Sequence, residues 1–121
     1  MYLATGIGGI IGALVRFFIS NKLIHLGYFP TLFINLSGCF LLGYLQGRAK
    51  MYVMPAWLVT GIGTGMIGAY TTFSTFSMEV VHSISQGLFF SSFFYILVSS
   101  IGGYLSAYTG FLSSGYKERG R

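Results

Sequence analysis

The sequence predicts an all-α membrane protein of four transmembrane helices, the third broken near its middle, and three observations point there. Hydrophobic residues make up 54% of the 121 positions and charged ones 7%, a balance that leaves no alternating buried and solvated pattern and places the chain in the membrane class. Four long apolar runs are separated by short polar or basic stretches. Within the third run, glycines and a β-branched pair gather at one depth. At this length, residues 1–121 form a single domain.

The first run covers residues 2–26, interrupted by Arg16 and with its helix ending around Asn21-Lys22. No basic stretch or small-residue cleavage site precedes Arg16, so a retained helix is expected rather than a removed signal peptide. Gly8-Gly9 and Gly12-Ala13 place small residues four apart, where a second helix backbone can approach. Pro30 suits a first helical turn, and residues 31–47 make the second span, closed by Arg48 and Lys50. The third run, residues 54–81, opens with Pro55 and carries no charge before Glu79. It exceeds what a straight helix needs to cross a hydrocarbon core of about 30 Å. Gly61, Gly63, Gly65 and Gly68, followed by Thr71-Thr72, weaken a helix in its middle and predict a break near residues 67–72. Non-helical backbone at membrane depth persists only where protein or a polar cavity satisfies its N–H and C=O groups, so the break predicts a site. A turn at Ser85-Gln86-Gly87 leads to the fourth span, residues 88–112, and a tail with Lys117, Arg119 and Arg121 follows.

Net charge is +5, but the cations flank the apolar runs instead of clustering with aromatics on a polar surface. That argues for a lipid bilayer as the surroundings and against a nucleic-acid partner. With four spans, both termini and the middle loop share one side. That side holds Arg48, Lys50, Lys117, Arg119 and Arg121, against Lys22 and Arg16 for the other. The excess favours termini on the cytoplasmic side of a bacterial-type cell membrane, with dual topology left open. The single cysteine, Cys39, lies in an apolar run and reads as a small packed side chain.

Polar groups at membrane depth are costly and call for a partner, a cavity or a function. Asn35 lies mid-way along the second span, where its amide can bridge helices or donate to a ligand. Tyr95, Ser99 and Gly103 recur every four residues on one face of the fourth span, with Ser92 and Ser106 nearby. A lone serine can bond its own helix, whereas an aligned set makes a polar track. Phe73 and Phe76 share a face, and Thr72, Thr75 and Glu79 line an adjoining one. Such a phenylalanine pair commonly faces lipid or core. Here it follows a break and alternates with hydroxyls, and the positive edges of its rings can face an anion without a basic group to hold it. Arg16 either snorkels to the interface or draws an anion into a vestibule. Enzymatic chemistry has little support, because there is no Asp and the carboxylates are Glu79 and Glu118, the latter in the tail. His25 and His82 lie at opposite ends of spans without a ligand cluster.

The run Gly65-x-x-Gly68-x-x-Thr71-Thr72-Phe73-Ser74-Thr75-Phe76 resembles the signature of the CrcB, or Fluc, fluoride channels. Two further matches stand in order, Gly8-Gly9-x-x-Gly12-Ala13-x-x-Arg16 and Thr31-Leu32-x-x-Asn35-x-x-Gly38-x-Phe40-x-x-Gly43. The resemblance implies an antiparallel dimer with two pores and a structural sodium ion at its centre, held by backbone carbonyls of Gly68 and Thr71. It implies a fluoride path of Phe73, Phe76, Asn35, Thr75, Tyr95 and Ser99, with Arg16 and Glu79 shaping the vestibule. Ala69, Pro30, Phe17 and Gly103 depart from the family pattern; Ala69 bears on the shape of the break and Gly103 removes one step of the polar track.

Passive, fluoride-selective export that lowers fluoride toxicity is therefore the leading expectation. A proton-coupled multidrug or cation exporter needs a titratable acid deep in the membrane, and Glu79 lies toward the end of its span. A non-transporting assembly subunit leaves the threonine-phenylalanine cluster unexplained. The bias in basic residues raises the further expectation of a heterodimer with an oppositely oriented paralogue, in place of a homodimer.

Overall fold

A computed structural model describes residues 1–117. Arg119 and Arg121, on which part of the orientation argument rests, lie outside the described residues together with Glu118. Every regular element among the described residues is helical.

Helix α1 spans Tyr2–Lys22. It ends at Lys22, where Asn21-Lys22 are expected to close it, and the rest of the apolar run to Leu26 is taken up by a 3-10 turn, Ile24–Leu26, and by Gly27 at φ 66°. Helix α2, Phe29–Met51, begins with Pro30 in its first turn and continues past the expected Gly47. Arg48 and Lys50 occupy its last turn, where positive charge suits the carbonyl end of a helix. The third apolar run is divided. Helix α3, Ala56–Thr60, passes into a π-helical stretch, Gly61–Ile67, and then into the short α4, Gly68–Tyr70. Thr71 and Thr72 are extended, and α5 runs from Phe73 to Ser85. The interruption thus falls where the glycines and threonines predict it. Gly87, at φ 77°, closes the next turn, with Leu88 N–H donating to the Ser83 carbonyl at 3.0 Å. Helix α6 spans Phe89–Ser113.

Helices α1, α2 and α6 are each long and apolar enough to cross a membrane. The divided third run lies among them, in contact with all three. Apolar side chains gain little by leaving lipid for one another, so close backbone packing must hold such a bundle. Gly8 lies against the Gly61 carbonyl and Gly12 against that of Met66, while Gly65 lies against that of Thr5. These contacts seat α1 on the π-helical stretch, as the small-residue spacing predicts. Between α2 and α6, Gly43 meets the Ala107 carbonyl and Gly110 that of Phe40.

One end of the bundle collects the charges. The Arg48 guanidinium lies 4.5 Å from the Tyr52 ring centre, and the Lys50 ammonium lies 5.2 Å from Phe111 and 5.4 Å from Tyr116. Lys50 thereby ties the end of α2 to the end of α6. Met1 and Leu3 share a groove with Trp57 and Leu58. The N-terminus, the α2–α3 connection and the end of α6 therefore share one end, and the α1–α2 and α5–α6 connections share the other.

A Cβ at Gly12 would collide with backbone, whereas one at Gly6 meets nothing within 4 Å. Gly12→Val is expected to destabilise the detergent-solubilised protein by about 1–3 kcal/mol, an overpacking cost. Gly6→Ala should stay within about 0.5 kcal/mol of wild type. Thermal unfolding of both variants would check the α1 contact, and equal stability would refute it.

Candidate functional site

The site starts from an accounting of backbone polar groups. With Thr71 at φ −75°, ψ 158° and Thr72 at φ −144°, ψ 120°, the chain leaves its helix for two residues. Asn35 of α2 meets it there. Its Nδ2 donates to the Thr72 carbonyl at 2.8 Å, and the Thr72 N–H donates to its Oδ1 at 2.8 Å. One side-chain amide thus replaces the peptide partner that a neighbouring strand would supply. The Thr72 hydroxyl accepts from Thr75 N–H at 3.2 Å and restarts the helix as an N-cap. A second brace lies just before the break, where the Ser37 and Tyr70 hydroxyls are 2.8 Å apart. Gly38 leaves room for the Thr71 methyl group. Ala69 lies within helical α4, and positive φ occurs among the described residues only at Gly27, Gly87 and Gly115. Alanine in place of the family's glycine therefore does not oppose the break.

This rearrangement frees particular oxygens. In a continuous α-helix the Thr72 N–H would bond the Gly68 carbonyl, and the Thr75 N–H that of Thr71. Here the first goes to Asn35 and the second to the Thr72 hydroxyl. Gly68 and Thr71 are left with long contacts: the Thr71 hydroxyl lies 3.4 Å from the Gly68 oxygen, and Arg16 Nη1 lies 3.4 Å from the Thr71 oxygen. Both carbonyls retain lone pairs for a hard cation. No group of three or more His, Cys, Asp or Glu side chains is placed to hold a metal among the described residues. A cation here would rest on neutral oxygens. One chain offers two of them, too few to replace a hydration shell.

On the other side of the break lies an aromatic row. Phe73 and Phe76 have ring centres 6.1 Å apart, Phe76 and Tyr95 5.0 Å, and Tyr95 and Tyr28 5.3 Å. Phe73 is 79% exposed on the isolated chain, so the row opens at a surface. It adjoins a cavity of about 290 Å³ lined by Asn35, Cys39, Gly68, Thr71, Thr72 and Phe73. Beside Tyr95, Glu79 accepts from the Thr31 hydroxyl at 2.8 Å through Oε1 and from the Tyr95 hydroxyl at 2.6 Å through Oε2.

The structure therefore brings Asn35, Gly68, Thr71 and Phe73 around one cavity, and Phe76, Tyr95 and Glu79 into a cluster beyond it. Thr75 is exposed and accepts from the Thr72 hydroxyl at 3.1 Å. Ser99 is half-buried one turn beyond Tyr95, with no hydrogen-bond partner among the described residues. Ser92 bonds its own helix at the Leu88 carbonyl, 2.8 Å away. Gly103 lies near Cys39 Sγ, so a hydroxyl is missing there but space is not. Arg16 stands at the break, and Glu79 is tied to Thr31 of α2 and Tyr95 of α6. Sequence reasoning missed the roles of Thr31, Ser37, Tyr70 and Tyr28, whose partners are distant in the chain.

Residues 3–111 match the family model described as CrcB-like protein, Camphor Resistance (CrcB). Among similar proteins, one from Moorella thermoacetica named fluoride-specific ion channel FluC 2 is 46% identical over 122 aligned positions, covering 94% of this chain and 96% of its own length. A Bacillus cereus protein named fluoride-specific ion channel FluC 1 is 41% identical, with 92% of this chain and 85% of its own length covered. A Ligilactobacillus salivarius protein named fluoride-specific ion channel FluC 2 is 43% identical, with 86% and 77% covered.

Asn35→Leu keeps roughly the volume of the side chain and strands the Thr72 N–H and carbonyl at membrane depth. Each unpaired group costs about 1–3 kcal/mol. A large drop in denaturant resistance in detergent is expected, and wild-type stability would show that the two bonds do not hold the break.

Proposed function

The chain belongs to the CrcB family, and from that membership and the geometry of its broken helix we propose that it is a passive, fluoride-selective ion channel that exports fluoride and lowers its toxicity. The observation that carries the reading is the row of phenyl rings beside hydroxyl and amide groups at the break, with no lysine or arginine in the row. Fluoride keeps its water tightly, so a path must replace that water with donors while binding weakly enough to release the ion. Phe73 and Phe76 supply positive ring edges. Asn35 has a second N–H beyond the one given to Thr72, and Thr75 and Ser99 carry hydroxyls further along. Arg16 lies at the break near the Thr71 oxygen, outside the row, and supplies attraction without a fixed ion pair. No bond is made or broken, and the family's work is conduction.

A sodium ion fits the freed carbonyls of Gly68 and Thr71, and a second, antiparallel copy of the break would bring the further oxygens it requires. Bound there, the ion would tie the two subunits together and offset part of the negative charge of passing anions. A proton-coupled exporter is poorly served, because both oxygens of Glu79 already accept hydrogen bonds.

Purified protein in liposomes should release fluoride rapidly and chloride hardly at all, and Phe76→Ile should slow fluoride release about ten-fold or more, the effect of a barrier raised by 1.4 kcal/mol. Replacing sodium with N-methylglucamine at constant ionic strength should lower thermal stability, as loss of a ligand bound to the native state does. Absence of flux from a folded dimer would refute the channel reading, and indifference to sodium would refute the cation site.

The gathering of Arg48, Lys50 and Lys117 toward one end favours termini in the cytoplasm and pairing with an oppositely oriented paralogue. The numbering of relatives as FluC 1 and FluC 2 is in keeping with more than one copy in their organisms. Cysteine-accessibility mapping of the chain expressed alone should find mainly one orientation; equal populations of both would favour a homodimer.

A further inference from the structure

The aromatic row does not end at Tyr95, which Phe76 meets at 5.0 Å. It continues to Tyr28, on a different element, whose ring is stacked on Tyr95 at 5.3 Å and 28° between planes. Tyr28 is the N-cap of α2 and follows Gly27, so it stands at the end of the bundle formed by the α1–α2 and α5–α6 connections. An ion moving from Phe73 past Phe76 along this face reaches Tyr28 last.

What the ion would meet there is decided by which donors are already committed. The Tyr95 hydroxyl donates to Glu79 at 2.6 Å, and the Thr31 hydroxyl donates to the same carboxylate at 2.8 Å. Neither proton is available to an anion without exposing the charge of Glu79. The Tyr28 hydroxyl has no hydrogen-bond partner among the described residues, and it is not a buried orphan, since no buried side-chain oxygen there lacks a partner. It is an accessible phenolic donor, held in place by its stacked ring. The Tyr28 backbone forms the amino end of α2, and its ring reaches across to α6. A small anion leaving the phenyl edges would find there a donor that Glu79 has not engaged.

We propose that Tyr28 is a fluoride-binding residue of this chain, the hydrogen-bond donor at the mouth of the path on the side of the α1–α2 and α5–α6 connections. The inference rests on the channel reading above. It assigns the terminal donor to Tyr28 and leaves to Tyr95 the task of shielding Glu79.

The test compares fluoride efflux from liposomes for wild type, Tyr28→Phe and Tyr28→Leu over a range of fluoride concentrations. Tyr28→Phe keeps the stacked ring and removes only the hydroxyl. It should raise the fluoride concentration giving half-maximal flux about ten-fold, as loss of one hydrogen bond to an ion would, with the limiting flux little changed. Tyr28→Leu should show at least the same shift. Tyr28→Phe with wild-type concentration dependence would overturn the proposal, whether or not Tyr28→Leu is impaired, because the ring alone would then account for the residue. A uniform loss of flux at every concentration would overturn it too, marking Tyr28 as structural. Lack of flux in the wild type would instead remove the channel reading beneath it.

Discussion

Two hydrogen bonds between the Asn35 amide and the Thr72 backbone are the condition on which the rest of the site depends. Lipid offers no partner for an unpaired N–H or C=O, so a membrane helix cannot open unless something replaces its internal bonds. Glycines and β-branched residues weaken the helix, but they only lower the cost of opening. Asn35 makes the opened state a defined structure, since its donor and acceptor match those of one extended peptide unit. The Thr72 hydroxyl then completes the break by capping α5.

The same exchange of partners produces two opposite chemistries within a few residues. Upstream, the carbonyls of Gly68 and Thr71 lose their amide donors and present negative ends. Downstream, α5 begins anew, and its first N–H groups and aromatic edges present positive ones. A continuous helix would expose neither. The break thus sets freed carbonyl oxygens on one side and free N–H groups and ring edges on the other without adding a formal charge. Arg16, which lies near the Thr71 oxygen, belongs with the first group geometrically. Its charge nevertheless acts over the whole region, because screening by water is weak at this depth.

Much of this was legible in the sequence, and the parts that were not share a cause. The break followed from local composition, Gly61 to Gly68 and then Thr71-Thr72, and the seating of α1 followed from the spacing of Gly8 and Gly12. Those are statements about one helix at a time. The pairing of Thr31 with Glu79 across 48 residues, of Ser37 with Tyr70 across 33 and of Tyr28 with Tyr95 depends on how helices stand against one another. No periodicity within a segment encodes that. The π-helical stretch was likewise hidden, since glycines that weaken a helix do not say whether it widens or breaks. Tyr95 and Glu79 were each legible as polar residues on a face; that they bond each other, and so change each other's availability, was not.

That mutual commitment bears on how an anion path can contain a carboxylate at all. An unpaired negative charge on Glu79 would repel the ion along the final part of the row. Removing the residue would leave the Thr31 and Tyr95 hydroxyls without their acceptor and α5 without its tie to α2 and α6. Two donated protons spread the charge and point the carboxylate oxygens toward α2 and α6. Glu79 therefore contributes cohesion between three helices, and along the proposed path its repulsion of an anion would be reduced. The arrangement also limits how tightly an anion can be held near Tyr95, since the nearest strong donors are already engaged. On the proposed path, weak retention beside a free donor at the mouth would suit passage, because each contact must be good enough to replace water and poor enough to give the ion up.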